Sequence, residues 1–377
     1  MSALPKSDEI QMAGPWVTEE DIAIVTDMLR NGWYGKDAYK YVETFEKDFA
    51  AWHGRKYALM PPNCTTSIHL LLDGLGITDG DEVIAPQCTW IASVAPVVYQ
   101  RATPVFADID PVHWCVTPES IKACITPKTK AVIVVDLFGN MPDMDGIKAV
   151  CDEAGIYLIE DAAEALGSMY GGVRAGKFGI GSVFSFHRTK TITTGEGGCL
   201  LLDDDASYAR CKFIRDHGRA PGTYYNTEVT FKYMPSNLQA SLAYAQFKRV
   251  DELVERKRWI WKTFAKHLAD VPDILLNPEP GNIINGVWCP ALVFGKSHNI
   301  TKEQAMEKLS ALGLPVRPFF YPLQSLPAFP DQDTQGRKSC PVAYDVSSRG
   351  INLPCAFTLT EEQIMRYAQG IKTILRM

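Results

Sequence analysis

The N-terminal part of the chain alternates apolar and polar residues with the period of an amphipathic helix. Apolar side chains recur at spacings of three and four over residues 17–31, which places them on one helical face. These side chains are Ile22, Val25, Met28 and Leu29. Thr18 precedes a run of acidic residues and is the expected N-cap. A second helix is predicted over residues 41–53, and a third is predicted to start near Thr65.

Between residues 65 and 205, short apolar runs rich in Val and Ile alternate with segments of helical length. The runs cover residues 81–86, 103–109, 130–138, 156–161, 183–186 and 199–204. Buried runs separated by helical segments predict an α/β fold in which a mostly parallel sheet lies between layers of helices. Ligands of such sheets bind at the carboxyl ends of the strands, so the residues that follow these runs are the candidates for chemistry.

The C-terminal part of the chain has the pattern of a second, smaller α/β unit. A helical block over residues 237–271 leads into it. Its other predicted elements are a strand at 287–294, a helix at 301–312 and a closing helix at 360–375. We therefore expect a large domain over residues 1–259 and a small C-terminal domain over residues 260–377.

Composition and charge narrow the class of protein. Of the 377 residues, 46% are hydrophobic and 22% are charged, which is typical of a globular enzyme. The net charge of −6 disfavours a nucleic-acid binder, which needs a concentrated basic surface. No apolar run approaches the length of about 18 residues that a membrane span requires, so no membrane association is expected.

The cysteines and the N-terminal segment bear on the compartment. The ten cysteines show neither a CxxC pair nor a spacing typical of metal ligands. We therefore expect reduced thiols, no metal site and a cytoplasmic location. Residues 1–21 contain no apolar segment of the kind that a secretory leader needs, so no leader is expected.

Two acidic residues, Glu160 and Asp161, end the apolar run at 156–161. Carboxylates at the end of a buried strand are unfavourable unless a cation or a hydrogen-bond donor meets them. A functional acid is one interpretation of this pair. An acid that caps the next helix is an equally good one.

A lysine in a glycine-rich loop follows the next apolar run. Lys190 comes five residues after Ser185, and Gly195, Gly197 and Gly198 allow a sharp turn and close approach to a ligand. A desolvated lysine amine can form a Schiff base with a carbonyl group. Considered alone, Lys190 is more readily interpreted as an ordinary solvated lysine.

Two further features lie near predicted strand ends. Asn63 to Thr66 lead into a helix whose first N–H groups form a natural phosphate site, although Asn and Thr are also common caps. Trp90 follows the run at 81–86 and is placed to stack on a planar ligand, although a core aromatic is the simpler interpretation. Together with the acid and the lysine, these features match the needs of pyridoxal phosphate.

The sequence resembles the DegT/DnrJ/EryC1/StrS family of sugar aminotransferases, within the fold type I enzymes that use pyridoxal phosphate. The stretches that carry the resemblance are IEDAAEALGS, FSFHRTKTITTGEGG, RDHGR, KYMPSNLQA and RPFFYPLQSLPAF. The resemblance implies a large domain with a mixed sheet and a smaller C-terminal α/β domain. It also implies that Lys190 is the Schiff-base lysine, that Asp161 pairs with the pyridinium nitrogen and that Glu164 lies near the phenolic oxygen of the cofactor.

The resemblance further implies how the cofactor is held. Ser185 and the turn of Cys64, Thr65 and Thr66 correspond to the phosphate-binding positions, and Trp90 corresponds to the residue that stacks on the ring. The family turn usually has glycine where this chain has Cys64.

Members of the family are homodimers with shared active sites, and this implies a role for residues that reach the partner subunit. Lys232 corresponds to the residue that contacts the partner's cofactor phosphate. Further residues are expected near the substrate, namely His187, Arg188, His217, Arg219, Arg317, Phe319 and Tyr321. Gln324 stands where relatives often carry histidine.

The resemblance implies transfer of an amino group from L-glutamate, which leaves as 2-oxoglutarate, through pyridoxamine 5'-phosphate to a keto-sugar. The RPFFYPL stretch is most similar to enzymes of the perosamine type, which act on a nucleotide-linked 4-keto-6-deoxyhexose for glycans such as lipopolysaccharide. Three alternatives remain open: a keto-sugar without a nucleotide such as a modified octulosonate, a sugar dehydratase, and an inactive scaffold or regulator. Dehydratases of this fold carry histidine at the position of Lys190.

Overall fold

The computed structural model describes residues 10–329 and 333–376. Its helices are α1 (Glu19–Asn31), α2 (Lys40–His53), α3 (Cys64–Gly74), α4 (Ala95–Tyr99), α5 (Pro118–Lys122), α6 (Met144–Ala154), α7 (Asp205–Arg215), α8 (Asn237–Phe247), α9 (Val250–Leu268), α10 (Lys302–Ala311), α11 (Asp333–Ser339), α12 (Pro341–Arg349) and α13 (Glu361–Ile374). Within these residues, no helix combines the length and the apolar character needed to cross a bilayer. The first nine residues of the expected large domain, which include part of the segment considered for a leader, lie outside the described residues, as does the last residue of the chain.

The strands form three sheets. They are β1 (Tyr57–Leu59), β2 (Glu82–Pro86), β3 (Thr103–Ala107), β4 (Thr129–Val135), β5 (Tyr157–Asp161), β6 (Met169–Tyr170), β7 (Val173–Arg174), β8 (Gly181–Ser185), β9 (Gly198–Leu202), β10 (Ile274–Leu276), β11 (Ile283–Ile284), β12 (Ala291–Phe294), β13 (Arg317–Pro318) and β14 (Gly350–Asn352). The largest sheet has the order β1-β9-β8-β5-β4-β2-β3, and the second has the order β10-β12-β14-β13. A small sheet joins β11, β6 and β7.

The largest sheet is mixed, with one reversed strand. Strands β8, β5, β4, β2 and β3 pair in parallel, whereas β9 runs antiparallel between β8 and β1. Buried side chains cover both faces, with Ile133 and Ile159 on one side and Val132 and Leu158 on the other. The expected α/β fold is therefore confirmed. The carboxyl ends of the parallel strands and the beginning of β9 meet at one edge of the sheet.

Helix α1 begins at the expected cap but buries a different face. The Thr18 hydroxyl accepts a hydrogen bond from the Asp21 N–H (3.3 Å), and the Asp21 carboxylate accepts one from the Thr18 N–H (2.8 Å). Met28 is buried, as predicted, but Ile22 and Leu29 remain 49% and 47% exposed. Half of the expected apolar face of α1 thus lies on the surface of a single chain.

The helical block expected over residues 237–271 is two helices. Arg249 leaves the helical region (φ −122°, ψ 29°), so α8 ends at Phe247 and α9 begins at Val250. The sequence does not indicate this break, because both halves are rich in strong helix formers and their composition does not mark it.

Helix α9 belongs to two hydrophobic cores. Val250 and Leu253 pack in the core under the large sheet, whereas Ile260 and Phe264 pack in the core of the second sheet. The domain boundary that we propose after residue 259 therefore falls inside one helix.

The strand expected over residues 287–294 is shorter than predicted. Strand β12 covers only Ala291–Phe294, because Val287 has a left-handed backbone (φ 56°) and Pro290 has no N–H to donate to a ladder. This irregular entry turns Trp288 out of the sheet and toward the edge described above.

Candidate active site

The turn before α3 forms a capped helix N-terminus beside the large sheet. The Asn63 side chain accepts a hydrogen bond from the Thr66 N–H (2.9 Å), and the Thr66 hydroxyl accepts one from the Asn63 N–H (3.3 Å). Because the cap uses the Thr66 N–H, the N–H groups of Cys64 and Thr65 are the ones that the first turn offers to a phosphate.

The beginning of β9 packs directly against this turn. A Cβ atom added to Gly198 would lie 2.4 Å from the carbonyl carbon of Asn63 and 2.6 Å from the nitrogen of Cys64. The sequence pattern assigned Gly198 to a flexible loop near a ligand. Its absent side chain instead allows two backbone segments to meet, which fixes the position of the turn.

Asp161 ends β5 with its carboxylate buried at the strand edge. The Ser93 hydroxyl donates to Oδ2 (2.7 Å), the Ala163 N–H donates to Oδ1 (3.1 Å), and the Cys64 thiol lies 4.0 Å from Oδ1. Burial raises the pKa of Asp161, although the Ser93 and Ala163 hydrogen bonds and the charge of Lys190 oppose the rise. A cationic ligand would relieve this cost of burial.

The neighbouring acid, Glu160, points to the opposite face of the sheet. Its carboxylate accepts hydrogen bonds from the N–H groups of Gly176 (2.8 Å) and Phe178 (3.0 Å) and from the Ser182 hydroxyl (2.6 Å). Successive side chains of a strand alternate between faces, so only one of the two acids can reach the site. That acid is Asp161, whereas Glu160 anchors a loop.

Lys190 and Glu164 form a largely buried ion pair beside Asp161. The Lys190 Nζ atom lies 3.1 Å from Glu164 Oε1, and Glu164 Oε2 accepts a hydrogen bond from the Phe138 N–H (2.8 Å). Burial raises the pKa of Glu164, while the charge of Lys190 lowers it. The structure thus brings together the lysine and the two acids that the resemblance marks as functional.

Trp90 and Ser185 lie at the ends of β2 and β8, as expected. Trp90 is 61% exposed, so part of its side chain is accessible to a ligand. The Ser185 hydroxyl accepts a hydrogen bond from the His187 N–H (3.3 Å). Both side chains stand at the edge to which Asp161 and the α3 turn also belong.

Basic side chains gather near Lys190. His187 binds Thr189 Oγ1 through Nδ1 (2.9 Å) and lies 3.8 Å from Glu196 through Nε2. Partial burial lowers the pKa of His187, and the charges of Lys190, Arg188 and Arg317 lower it further, while Glu196 opposes them. Arg188 and Arg317 are exposed, and neither forms an ion pair within the described part of the chain.

The RPFFYP segment divides between surface and core. Tyr321 is 46% exposed, and the Lys302 ammonium lies 3.7 Å from the centre of its ring. Phe319 is completely buried and packs edge-on against Trp114 and Phe138. Phe319 was expected near the substrate, and that expectation stays a prediction, but its side chain is enclosed in the core and has no free surface for direct contact with a bound sugar.

The remaining predicted residues lie on the loop that joins α7 to α8. Lys232 Nζ is 2.5 Å from Asp216, and Arg219 pairs with the same carboxylate. His217 has a left-handed backbone (φ 62°) and its N–H donates to the Phe231 carbonyl (2.8 Å). Among the described residues, no ion pair or hydrogen bond joins these three side chains to Lys190, Glu164 or Asp161.

Two residues that contact Asp161 or Lys190 were not predicted from the sequence. Ser93 holds Asp161, but serine after a strand has many other uses. Trp288 lies under Lys190, with Nζ 3.7 Å from the ring centre, and its indole N–H donates to the Thr189 carbonyl (2.8 Å). It sits far from Lys190 in sequence, and no local pattern indicates their contact.

The residues present fit pyridoxal phosphate. The α3 turn offers N–H groups to a phosphate, Asp161 offers a buried carboxylate to a ring nitrogen, and Lys190 offers an amine to an aldehyde. No group of three or more metal-ligating side chains occurs in the residues that the structure describes.

Enlarging Gly198 should loosen the phosphate turn. The Gly198→Ala variant is expected to bind pyridoxal phosphate about tenfold more weakly, because the added methyl group displaces Asn63 and Cys64. A cofactor titration followed by absorbance measures this change. The matched control is Gly281→Ala, where a Cβ atom meets open space, and its affinity should equal that of the wild type. Equal affinity in both variants would contradict the role of Gly198.

The sequence and the fold of this chain are similar to those of known aminotransferases. Residues 15–372 match the DegT/DnrJ/EryC1/StrS aminotransferase family. The GDP-perosamine synthase of Vibrio cholerae is 35% identical over 92% of this chain and 94% of its own, and that of Caulobacter vibrioides is 35% identical over 100% of both chains. The crystal structure of an aminotransferase from Psychrobacter cryohalolentis has a TM-score of 0.89 and 28% identity, and covers 98% of this chain and 99% of its own. The chain therefore belongs to the DegT/DnrJ/EryC1/StrS aminotransferase family and is a sugar aminotransferase that uses pyridoxal phosphate.

Proposed function

We propose that this enzyme transfers the amino group of L-glutamate to a nucleotide-linked 4-keto-6-deoxyhexose during the synthesis of a cell-surface polysaccharide such as lipopolysaccharide. The observation that carries the proposal is the cluster in which Lys190 lies 3.1 Å from Glu164 and beside the buried Asp161. The two full-length relatives named GDP-perosamine synthase support a sugar of this type.

Each element of the chemistry has a residue suited to it. Bound pyridoxal phosphate supplies an aldehyde that receives the amino group and a ring that accepts electrons. The N–H groups of Cys64 and Thr65 are placed to hold the phosphate. The Asp161 carboxylate favours a protonated ring nitrogen. The Lys190 amine holds and moves the proton at the substrate carbon, and Glu164 orients that amine.

The basic side chains beside the cluster support an anionic substrate. Arg188 and Arg317 both act on His187 electrostatically, and both are exposed. A guanidinium group suits the diphosphate of a sugar nucleotide or the carboxylates of glutamate. A guanidinium group equally suits the carboxylate of a keto-sugar acid without a nucleotide, such as a modified octulosonate. Because Arg188 is exposed and available to such a carboxylate, this sugar acid is the second candidate substrate. Lys190 counts against both a dehydratase and an inactive scaffold.

We further propose that two chains share their active sites in a homodimer. Large apolar side chains stand exposed near the end of α1, with Leu29 at 47%, Trp33 at 56% and Tyr34 at 89%. In the loop between α7 and α8, the Val229 side chain is fully exposed. Lys232 lies in the same loop and forms an ion pair with Asp216. Association would cover these surfaces and bring Lys232 to a partner's phosphate. All ten cysteines, each within the described residues, are free, which supports a reducing compartment such as the cytoplasm.

The experiment that tests the reaction is an absorption titration of the cofactor-loaded protein. L-glutamate should remove the visible band of the lysine-bound cofactor and raise a near-ultraviolet band. A nucleotide-linked 4-keto-6-deoxyhexose should then restore the visible band. D-glutamate is the matched control and should leave the spectrum unchanged.

The sugar panel distinguishes the two substrates. Restoration by the sugar nucleotide, but not by a keto-sugar acid, supports the proposal. The reverse result would replace the substrate with the sugar acid. A spectrum that does not respond to L-glutamate would overturn the assignment of the amino donor.

A further inference from the structure

Trp288 follows a strained residue and lies directly beside Lys190. Val287, which precedes it, is a β-branched residue with a left-handed backbone (φ 56°), a conformation that costs free energy. The Asn285 side chain accepts a hydrogen bond from the Val287 N–H (2.7 Å) and holds this conformation. Strain of this kind persists only where the surrounding structure enforces it, and it is concentrated at functional sites.

The indole of Trp288 contacts the lysine loop in two ways. Its N–H donates to the carbonyl of Thr189, the residue that precedes Lys190 (2.8 Å). Its ring face lies under the Lys190 amine, 3.7 Å from the ring centre. The first contact fixes the ring relative to the loop, and the second offers the amine an attractive surface when it carries a proton.

Glu164 meets the same amine, so the free lysine has two partners. The Lys190 side chain is only 13% exposed, and cation–π contacts are stronger where water is excluded. Phe138 joins the two partners, since its ring lies parallel to Trp288 at 6.0 Å and its N–H donates to Glu164. The amine, the carboxylate and the indole form one supported arrangement.

We propose that Trp288 is a positioning residue that stabilises the Lys190 amine in its released, protonated form. The inference rests on the proposed role of Lys190 in binding the cofactor aldehyde. The first half-reaction requires this lysine to leave the aldehyde carbon, and the second requires it to remain nearby until it returns to that carbon. A surface that stabilises the released amine makes that departure easier and keeps a flexible side chain in place.

Displacement of Lys190 by methylamine measures this stabilisation without turnover. Methylamine first loses a proton to expose its nitrogen lone pair and then forms the new C=N bond with the cofactor carbon. The C=N bond of Lys190 breaks, and the hydrogens that methylammonium gives up are the ones that the Lys190 nitrogen gains, so that it leaves as a protonated amine. Loss of the indole should therefore make displacement harder. Displacement is followed by absorbance. The Trp288→Leu holoenzyme should need about tenfold more methylamine than wild type to reach half displacement. Trp288→Phe should need only about threefold more, because it keeps an aromatic face.

Pyridoxamine phosphate provides the internal control, because Lys190 is free both before and after it binds. Its affinity should be the same in wild type and both variants, whereas general damage to the site would weaken it. Trp261→Leu is the matched control: that indole also donates to a backbone carbonyl (3.2 Å), but it lies on α9, and its displacement midpoint should not move.

The outcomes separate this inference from the proposed function. Equal methylamine midpoints in wild type and Trp288→Leu would overturn the role of Trp288 alone. An equal loss of pyridoxamine phosphate affinity in both Trp288 variants would reduce Trp288 to a structural role and also overturn it. If Trp288→Leu does not fold, the methylamine midpoint of Trp288→Phe tests the inference instead, and a midpoint equal to that of wild type would overturn it. A wild-type protein that forms no bond with pyridoxal phosphate would overturn both the cofactor role of Lys190 and this inference.

Discussion

The Lys190→Ala variant is expected to lose transamination, with a fall in rate of about 10⁴-fold. Alanine can neither bond to the cofactor aldehyde nor move a proton at the substrate carbon. Its loss also leaves Glu164 buried without its cationic partner. Single-turnover absorbance with L-glutamate measures the rate, and the visible band of lysine-bound cofactor should be absent. Pyridoxamine phosphate should still bind, because it needs no covalent bond.

A lysine elsewhere on the same sheet domain controls for the change in charge. Lys177 pairs with Asp203 (2.8 Å), and Lys177→Ala should keep the wild-type rate. Turnover retained in Lys190→Ala would show that another amine performs the reaction.

The Asp161→Asn variant is expected to separate stability from function. Burial raises the pKa of Asp161 in the folded protein above that of the unfolded chain. The stability associated with its protonated form is therefore present at low pH and is lost as pH rises through the raised pKa. A neutral amide avoids that loss, so the cofactor-free variant should be more stable than wild type at pH 7 by about 1 kcal/mol. The difference should shrink as the pH falls.

The same substitution should damage the loaded enzyme. Asparagine cannot favour a protonated ring nitrogen, so both half-reactions should slow by about 10²-fold or more. Urea denaturation of the cofactor-free protein at several pH values and single-turnover rates measure the two effects. An unchanged rate would show that Asp161 does not face the ring.

Asp203→Asn is a control in which the expected change in stability has the opposite sign. Partial burial raises its pKa, but Lys177, the Lys56 N–H and Arg55 lower it more, and the net shift is downward. Its ionised form therefore stabilises the fold above the unfolded pKa, and Asp203→Asn should destabilise the protein at pH 7. Destabilisation in both variants would contradict the effect assigned to burial of Asp161.

The sequence predicted the elements that local chemistry determines. The cap of α1 at Thr18 depends on residues three apart, and the position of Asp161 depends on the strand that it ends. Lys190 and Asp161 were paired through a resemblance that covers most of the chain. The structure places both at one strand edge, and their catalytic roles stay a prediction.

Features that depend on distant parts of the chain could not be predicted. Phe319 and Tyr321 alternate in a single segment, but only the packing of Trp114 and Phe138 determines which one is buried. Trp288 contacts a lysine almost 100 residues earlier in the chain. Gly198, at the start of β9, packs against the backbone of Asn63, which follows β1. Tertiary contacts of this kind leave no periodic pattern in the sequence.

Helix α9 has a consequence for how the protein unfolds. Its first turns pack under the large sheet and its later turns pack under the second sheet, without an intervening linker. Melting of either core would remove packing from a helix that the other core requires. The two sheets are therefore expected to lose their structure in one cooperative transition, although each has its own hydrophobic interior.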